Sequence, residues 1–264
     1  LLWVPDCIRQ RVASLYEFKG GSDLNVSIIG LGALGRSLRS ALSHAGSAVT
    51  AWNRTARGDA THIGFPVESL AGGVWLICVS DDALDSVCQQ FAASLPSGRK
   101  PVVLHCAGRL GPSVLKPFSD RGCPIGVFHP LQAVRGRADD LKDSWCVGHG
   151  DGDAIDAGRQ IADLVGAKFI ERPSGDPAAY HAAAVVAANF ATTLLHTGIE
   201  IFESFGIPKS DGHAMLHQLV AGTVDNMVSE APCDALTGPF ARKDFQTIAA
   251  HIRSLKSDFP DVVS

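Results

Sequence analysis

The sequence carries little charge of either sign and no cysteine arrangement typical of a disulfide framework. Charged residues make up 19% of its 264 residues, and the formal net charge is −4. This balance offers no basic face to a polyanion, which argues against nucleic acid as a partner. The seven cysteines are odd in number and no pair has the CxxC spacing. We therefore expect reduced thiols, as in the cytosol.

Several other signals are missing. No apolar run approaches the length of a transmembrane helix, and Pro5 and Asp6 interrupt the first residues before a signal-like core forms. GxSxG, P-loop and heptad patterns are absent. His213 and His217 have the i, i+4 spacing of a zinc pair but no accompanying Glu. We expect a cytoplasmic protein with no membrane partner and no metal site.

What the sequence does contain is a glycine-rich motif between two predicted strands. Apolar residues 25–29 run into Gly30-Leu31-Gly32-Ala33-Leu34-Gly35, and a predicted helix then leads to a second strand at residues 49–54. This is the GxGxxG fingerprint in its strand, turn and helix context. We expect these six residues to bind the phosphates of a dinucleotide at the helix N-terminus. The alternative is a glycine turn without a ligand.

The end of the second strand indicates which dinucleotide binds. A NAD site usually has Asp or Glu here to accept hydrogen bonds from the ribose 2′-hydroxyl, but this chain has Asn53, Arg54 and Thr55. A guanidinium and neutral donors suit a 2′-phosphate, so the sequence predicts NADP(H). The alternative is that Arg54 and Arg57 are solvated loop charges.

Alternation of strands and helices continues to about residue 171. Apolar runs at 74–79, 101–106 and 125–128 are typical of strands buried on both faces, and further strands are predicted at 145–147 and 168–171. The predicted fold class is α/β, a Rossmann doubly wound parallel sheet. Ligands gather at the carboxyl ends of such strands. We expect five residues there to contact the cofactor, with His129 on the same rim: Val79, Ser80, Asp81, Cys106 and Ala107.

The composition changes after residue 173. Asp176 and Pro177 are good helix starters, and helices are predicted at 178–205, 211–230 and 244–256. We therefore divide the chain into an N-terminal extension (1–24), a Rossmann domain (25–173) and an all-α-helical C-terminal domain (174–264). The long helix is rich in Ala and Val, which predicts burial against a second subunit and hence a homodimer.

Four motifs make the chain resemble a known family over about residues 25–256. It resembles NADP-dependent oxidoreductases that join a Rossmann domain to a domain named DUF2520, within the superfamily of 6-phosphogluconate dehydrogenase-like, pyrroline-5-carboxylate reductase-like and F420-dependent NADP reductase-like proteins. The family usually has Ser where this chain has Ala107, and Gly where it has Lys243. The motifs are the glycine fingerprint with Asn53-Arg54-Thr55; His105-Cys106-Ala107-Gly108; His129-Pro130-Leu131-Gln132; and Tyr180-His181 through Asn189, with residues 236–244.

Hydride transfer to a C=O or C=N bond needs a proton donor beside the heteroatom. His129 is the leading candidate, since imidazole titrates near neutrality; a structural histidine is the alternative. His105 ranks below it because its strand is apolar. His181 and Asn189 lie about 80° apart on a regular helix, so both could reach one cleft. The superfamily often uses a Lys and Asn pair on this helix, but this chain has no lysine from 177 to 206, so His181 or Tyr180 would take that role.

The sequence therefore predicts an NADP(H)-dependent oxidoreductase acting on a small carbonyl or imine substrate, with His129, His181 and Asn189 as catalytic residues. The rivals are an NADP-binding sensor without catalysis and a structural dimer. The residues do not identify the substrate. A deazaflavin as the second substrate, instead of a carbonyl or imine, stays an alternative.

Overall fold

The computed structural model describes residues 24–56, 60–64 and 73–260. The predicted N-terminal extension, apart from Leu24, and Arg57 lie outside the described residues. The chain forms two compact units that divide between His181 and Ala182. We call them the sheet unit and the helical unit. The boundary predicted after residue 173 lies slightly earlier, so the first turns of the long helix belong to the sheet unit.

The described part of the sheet unit contains eight strands in the order β3-β2-β1-β4-β5-β6-β7-β8. All neighbours are parallel except β6 and β7, which run antiparallel. Parallel strands buried on both faces need continuous apolar runs, as in Val74-Trp75-Leu76-Ile77, all buried. The strands are β1 Asn25–Ile29, β2 Ala48–Asn53, β3 His62–Ile63, β4 Val74–Ile77, β5 Val102–His105, β6 Ile125–Pro130, β7 Trp145–Gly150 and β8 Lys168–Glu171.

Helices cover the sheet through two separate cores. On one face, α1 (Ala33–His44) and α4 (Gly152–Leu164) pack through buried apolar side chains such as Leu38 and Ile161. In the other core, α2 (Asp81–Ala93) and the short α3 (Lys116–Ser119), which follows a 3₁₀ turn at Pro112–Leu115, pack around Trp75. The Trp75 ring meets Phe91 and Phe118 edge to face. The mostly parallel sheet with its two helix-covered cores, and the helices that follow it, confirm the predicted fold class.

The long helix is not a regular α-helix. It consists of α5 (Pro177–Val185), a π-helical turn at Val186–Phe190 and α6 (Ala191–Ser204). Gly206, with φ +79°, follows its end. The helical unit continues with α7 (Lys209–Asn226), α8 (Gly238–Ala241) and α9 (Phe245–Asp258). The 80° predicted between His181 and Asn189 assumed an α-helix throughout, and the π-helical turn interrupts that geometry.

One expectation about membranes needs correction. The helix Pro177–Ser204 has 28 residues and is long and apolar enough, by length and composition only, to cross a membrane. The sequence-based statement that no segment approaches that length is therefore wrong. A single helix of this kind is weak evidence, since helices of other protein classes pass the same test. Its second half also carries the polar pair His196 and Glu200, 3.4 Å apart.

Candidate functional site

The glycine loop between β1 and α1 has the geometry of a phosphate site. Gly30 has φ +99°, and a Cβ on Gly35 would lie 2.0 Å from the Gly30 carbonyl oxygen, so the strand and the helix can approach this closely only without side chains. A Cβ on Gly32 would meet no described atom within 4 Å. The first turn of α1 contains no acidic residue. Open space at a helix N-terminus fits an anionic group.

Asn53 braces this loop from the end of β2. Its Oδ1 accepts a hydrogen bond from the Leu31 N–H at 3.1 Å, and its Nδ2 donates to the Thr55 carbonyl oxygen at 2.8 Å and to the Thr55 Oγ1 at 3.3 Å. Since Oγ1 accepts from Asn53, the hydroxyl hydrogen of Thr55 is left to donate outward. Arg54 is exposed beside it. The free donors at this position are thus Arg54 and Thr55, with Asn53 as their support.

The carboxyl ends of β4 and β5 bring two cysteines together. Cys78 and Cys106 follow paired positions of these strands, and their Sγ atoms lie 3.6 Å apart. Val79 packs near the glycine loop, where a Cβ on Gly30 would lie 2.9 Å from its Cγ1. The loop after β4 therefore lies against the glycine loop, since β1 and β4 are parallel neighbours.

Asp81 begins α2, directly after Ser80, and its carboxylate forms an ion pair with Arg109. The Arg109 Nε to Asp81 Oδ2 distance is 2.6 Å, and both side chains are partly exposed. An acidic residue in the first turn also suits the positive end of the helix. Sequence reasoning missed Arg109, because nothing in the spacing of two loops from different strands indicates that their side chains pair.

His105 is a structural histidine. It is fully buried at the end of β5, its Nδ1 accepts a hydrogen bond from the Ala107 N–H at 3.2 Å, and its Nε2 lies 3.0 Å from the Gly111 carbonyl oxygen. The first bond fixes the hydrogen on Nε2, so both ring nitrogens are used. Burial lowers the pKa of His105 from 6.5 to about 4. A neutral His105 therefore shapes the loop that carries Ala107.

His129, at the carboxyl end of β6, is the centre of a cluster. Its Nδ1 lies 2.9 Å from the Tyr180 hydroxyl, and its ring lies 5.9 Å from that of His181. Gly108 makes room for both imidazoles, since a Cβ there would lie 2.7 Å from the His129 Nε2 and from the His181 Cδ2. The structure thus brings together two of the three predicted catalytic residues, along with the Gly108 of the loop after β5.

The charge state of His129 differs from the expectation for a free imidazole. Burial, with the neighbouring His181 and His105, lowers the pKa of His129 to about 4. The ring is therefore neutral at physiological pH, and it cannot supply a proton as an imidazolium there. Any catalytic role of His129 has to be that of a neutral hydrogen-bonding group.

Tyr180 is the partner that sequence reasoning did not assign to His129. Asp176 starts its helix by accepting the Ala178 N–H at 2.9 Å, and the Arg172 guanidinium lies over the Tyr180 ring, 5.6 Å from its centroid. Burial raises the pKa of Tyr180, while Arg172 opposes that shift. The motif around Tyr180 and His181 was visible in the sequence, but a contact across 51 residues was not.

Asn189 belongs to the helical unit, where it is exposed within the π-helical turn. Such turns recur at functional sites. No cluster of three or more His, Cys, Asp or Glu side chains that could hold a metal ion is found in residues 24–56, 60–64 and 73–260. His213 and His217 stack on α7 with their ring centroids 6.2 Å apart.

Comparison with known families and structures agrees with this architecture. Residues 144–262 match the family described as a domain of unknown function, DUF2520. Protein TM1727 from Thermotoga maritima is 25% identical, with a TM-score of 0.70 over 89% of this chain and 91% of that chain. Pyrroline carboxylate reductase from Plasmodium falciparum, solved with NADP bound, is 14% identical, with a TM-score of 0.67 over 92% and 95%. No curated protein matches.

An imine reductase from Pseudomonas sp. shares the fold at lower similarity, with 18% identity and a TM-score of 0.58 over 79% of this chain and 76% of that chain. The DUF2520 match begins at Ser144, just before β7, so it includes the last two strands as well as the helical unit. The resemblance stated from the sequence is confirmed in the DUF2520 match and in the Rossmann-like fold shared with these reductase structures.

Proposed function

We propose that this protein is an NADP(H)-dependent oxidoreductase that transfers a hydride to or from a small carbonyl or imine substrate. The observation that carries the proposal is the arrangement of one rim of the sheet. An open glycine loop lies after β1, and a buried cluster of His129, Tyr180 and His181 lies at the end of β6. The DUF2520 match and the reductases with the same fold support it.

The spacing of the rim suits an extended dinucleotide. In the sheet order, β4 and β5 separate β1 from β6. Three spacings of about 4.8 Å place the ends of β1 and β6 about 14 Å apart. A pyrophosphate at Gly32 would leave Val79, Ser80, Asp81, Cys106 and Ala107 along the middle of the rim and the His129 cluster at the nicotinamide end.

The protein's own groups divide into three tasks. Gly30 to Gly35 hold the phosphates, and Arg54 and Thr55 bind a 2′-phosphate while Asn53 supports the loop. His129 and His181 line the reacting end, and Asn189 of the helical unit stays a predicted catalytic residue. When bound, NADP(H) supplies or accepts the hydride. The apolar strand ends around Cys106 exclude water from that step.

The test is NADPH oxidation followed with three probes: the cyclic imine 2-methyl-1-pyrroline, cyclohexanone, and cyclohexanone with allylamine. We expect turnover of at least one. A Gly32→Glu variant places a carboxylate in the open space where the phosphates bind, and it should abolish turnover and NADPH binding.

Gly152→Glu is the matched control, because Gly152 also starts a helix and a Cβ there also meets no described atom within 4 Å. It should behave as wild type. If the wild type binds NADPH but oxidises it with no probe, the protein is an NADP-binding sensor or a structural dimer instead.

A further inference from the structure

The contact between Tyr180 and His129 joins two elements of the sheet unit at a defined geometry. Asp176 fixes the start of α5, since it accepts the Ala178 N–H through its side chain and the Tyr180 N–H through its carbonyl oxygen. The Tyr180 hydroxyl then lies 2.9 Å from the His129 Nδ1, with the two rings 85° apart. The pair is part-buried, at the carboxyl end of β6 where the reacting end of the cofactor is proposed to lie.

Titratable groups face this pair from both of its sides. His181 and His105 lie on the His129 side, and Cys146 lies near Tyr180. Among the described residues, the charged groups that act on the pair are Arg172, over the Tyr180 ring, and Asp81, which is paired with Arg109. A cation above a phenol ring favours the phenolate form, so loss of the Tyr180 proton is easier here than burial alone would allow.

Of the two partners, Tyr180 is the one that holds a proton it can give. Burial raises the pKa of Tyr180, so the hydroxyl is protonated at neutral pH. The pKa of His129 is lowered to about 4, so its ring is a neutral imidazole whose remaining N–H is a far weaker acid than a phenol. Both nitrogens of His105 are already bonded.

We propose that the Tyr180 hydroxyl is the proton donor of this site and that His129 positions it and returns its proton. The inference rests on the proposed function and deepens it. As a hydride adds to the carbon of a C=N bond, the π electron pair moves to nitrogen, and nitrogen takes the Tyr180 proton. The resulting phenolate accepts a hydrogen bond from the His129 Nδ1–H.

The proton is then restored through the imidazole. The Nδ1 hydrogen passes to the phenolate oxygen while Nε2 takes a proton from water, and the hydroxide left behind is neutralised in solvent. Proton exchange with water then returns the imidazole to its Nδ1–H form. Tyr180 is thus a catalytic residue, because its hydroxyl touches the reacting atom, whereas His129 is a positioning residue that acts through Tyr180. In the oxidative direction the same atoms move in reverse.

The first test is Tyr180→Phe, which removes one oxygen and keeps the ring under Arg172. Positioned acid catalysis contributes about 10²–10⁴-fold, so kcat with 2-methyl-1-pyrroline should fall at least about 100-fold. The calorimetric Kd for NADPH should stay within about twofold. Tyr16→Phe, which removes the only other tyrosine hydroxyl of the chain, is the matched control and should keep the wild-type kcat.

The second test separates positioning from a purely structural role of His129. In the Tyr16→Phe background, Tyr180 is the only tyrosine, so its ionisation can be followed by ultraviolet absorbance. His129→Ala should shift the pKa of Tyr180 and lower kcat. His129→Asn, which keeps a donor near the Nδ1 position, should move the pKa of Tyr180 back toward the wild-type value and recover part of kcat.

The outcomes distinguish the two proposals. If the wild type reduces the imine and Tyr180→Phe keeps its rate, Tyr180 is not the donor, although the oxidoreductase assignment stands. If the His129 variants leave the Tyr180 pKa unchanged, the pair is not coupled and the positioning role is wrong. If the wild type binds NADPH and reduces no probe, both the proposed function and this inference are wrong.

Discussion

Lys243 is a non-glycine residue in a backbone conformation that favours glycine. It has φ +55°, the left-handed region that favours glycine. The hydrogen bonds explain why: the Asp244 N–H donates to the Pro239 carbonyl oxygen and the Lys243 N–H to the Phe240 carbonyl oxygen, which is a Schellman motif that ends α8. The family that the sequence resembles usually has glycine at this position, so the lysine here costs conformational free energy.

We expect Lys243→Gly to stabilise the protein. Relief of the left-handed strain gains about 1–2 kcal/mol, and the greater freedom of glycine in the unfolded chain offsets about half of it. The free energy of unfolding, measured by chemical denaturation, should rise by about 0.5–1 kcal/mol. Lys256→Gly, an exposed position within α9, is the matched control and should lose about 1 kcal/mol. A loss in both variants would contradict the strain.

The residues of the glycine loop could be predicted from the sequence one by one, whereas the contacts of the His129 cluster could not. The loop glycines have a fixed spacing because a side chain at each position would obstruct the turn, the ligand or the helix packing: Gly30, Gly32 and Gly35. Tyr180 meets His129 only because α5 returns to the end of β6, and the neutral state of His129 depends on burial that no local pattern encodes. Asp244 begins the helix predicted at 244–256, and it caps α9 by accepting the Thr247 N–H at 3.1 Å.

Among the elements, the segment between β6 and β7 is anchored through one carboxylate. Asp140 Oδ2 accepts hydrogen bonds from the Ser37 hydroxyl of α1, at 2.7 Å, and from the backbone N–H groups of Arg135, Gly136 and Arg137. These bonds hold the pKa of Asp140 well below its ordinary value. The segment that follows His129 is thereby tied to the helix that follows the glycine loop.

These hydrogen bonds to Asp140 make the stability of the fold depend on pH. Because the pKa of Asp140 is lowered on folding, its contribution is present above the ordinary carboxyl pKa near 3.8 and is lost as pH falls below that value. Asp140→Asn should lower the thermal midpoint at pH 7 and flatten its fall between pH 4 and pH 2. The control is Asp120→Asn, which removes an exposed ion pair with Lys116 and should change neither. An Asp140→Asn profile parallel to wild type would refute the anchor.

Strands were the most predictable elements and connections the least. Continuous apolar runs such as residues 74–77 predict strands that are buried on both faces. The two-residue β3 carries no such run, and no local pattern indicates that β7 runs antiparallel to β6. The π-helical turn at Val186–Phe190 contains the same kinds of residue as the α-helical segments on either side of it. Composition does not reveal it.

For the whole molecule, we propose a homodimer formed through the helical unit. Val186, Phe190 and Leu194 recur every four residues along the long helix and are 55–73% exposed. An apolar stripe of this kind on a protein surface marks an interface, and a second copy of the chain is the partner that symmetry favours. Light scattering at micromolar concentration should report twice the monomer mass.

Leu194→Glu should shift that equilibrium toward monomer, because it places a charge within the stripe. Ser86→Glu, at an exposed position of α2, is the control and should leave the mass unchanged. A monomeric mass for the wild type would count against the dimer, and the exposed stripe would then need another partner.

The central claim, an NADP(H) site at the ends of β1 and β2, is tested most directly by calorimetric titration of NADPH and NADH into the wild type, Arg54→Ala and Arg253→Ala. We expect the wild type to bind NADPH at least about tenfold more tightly, since charge-assisted hydrogen bonds to the 2′-phosphate contribute about 1.5–3 kcal/mol. Arg54→Ala should weaken NADPH alone, and Arg253→Ala, on α9, should change neither. Equal affinities for the two cofactors in the wild type, or an Arg54→Ala loss shared equally by both, would contradict the account.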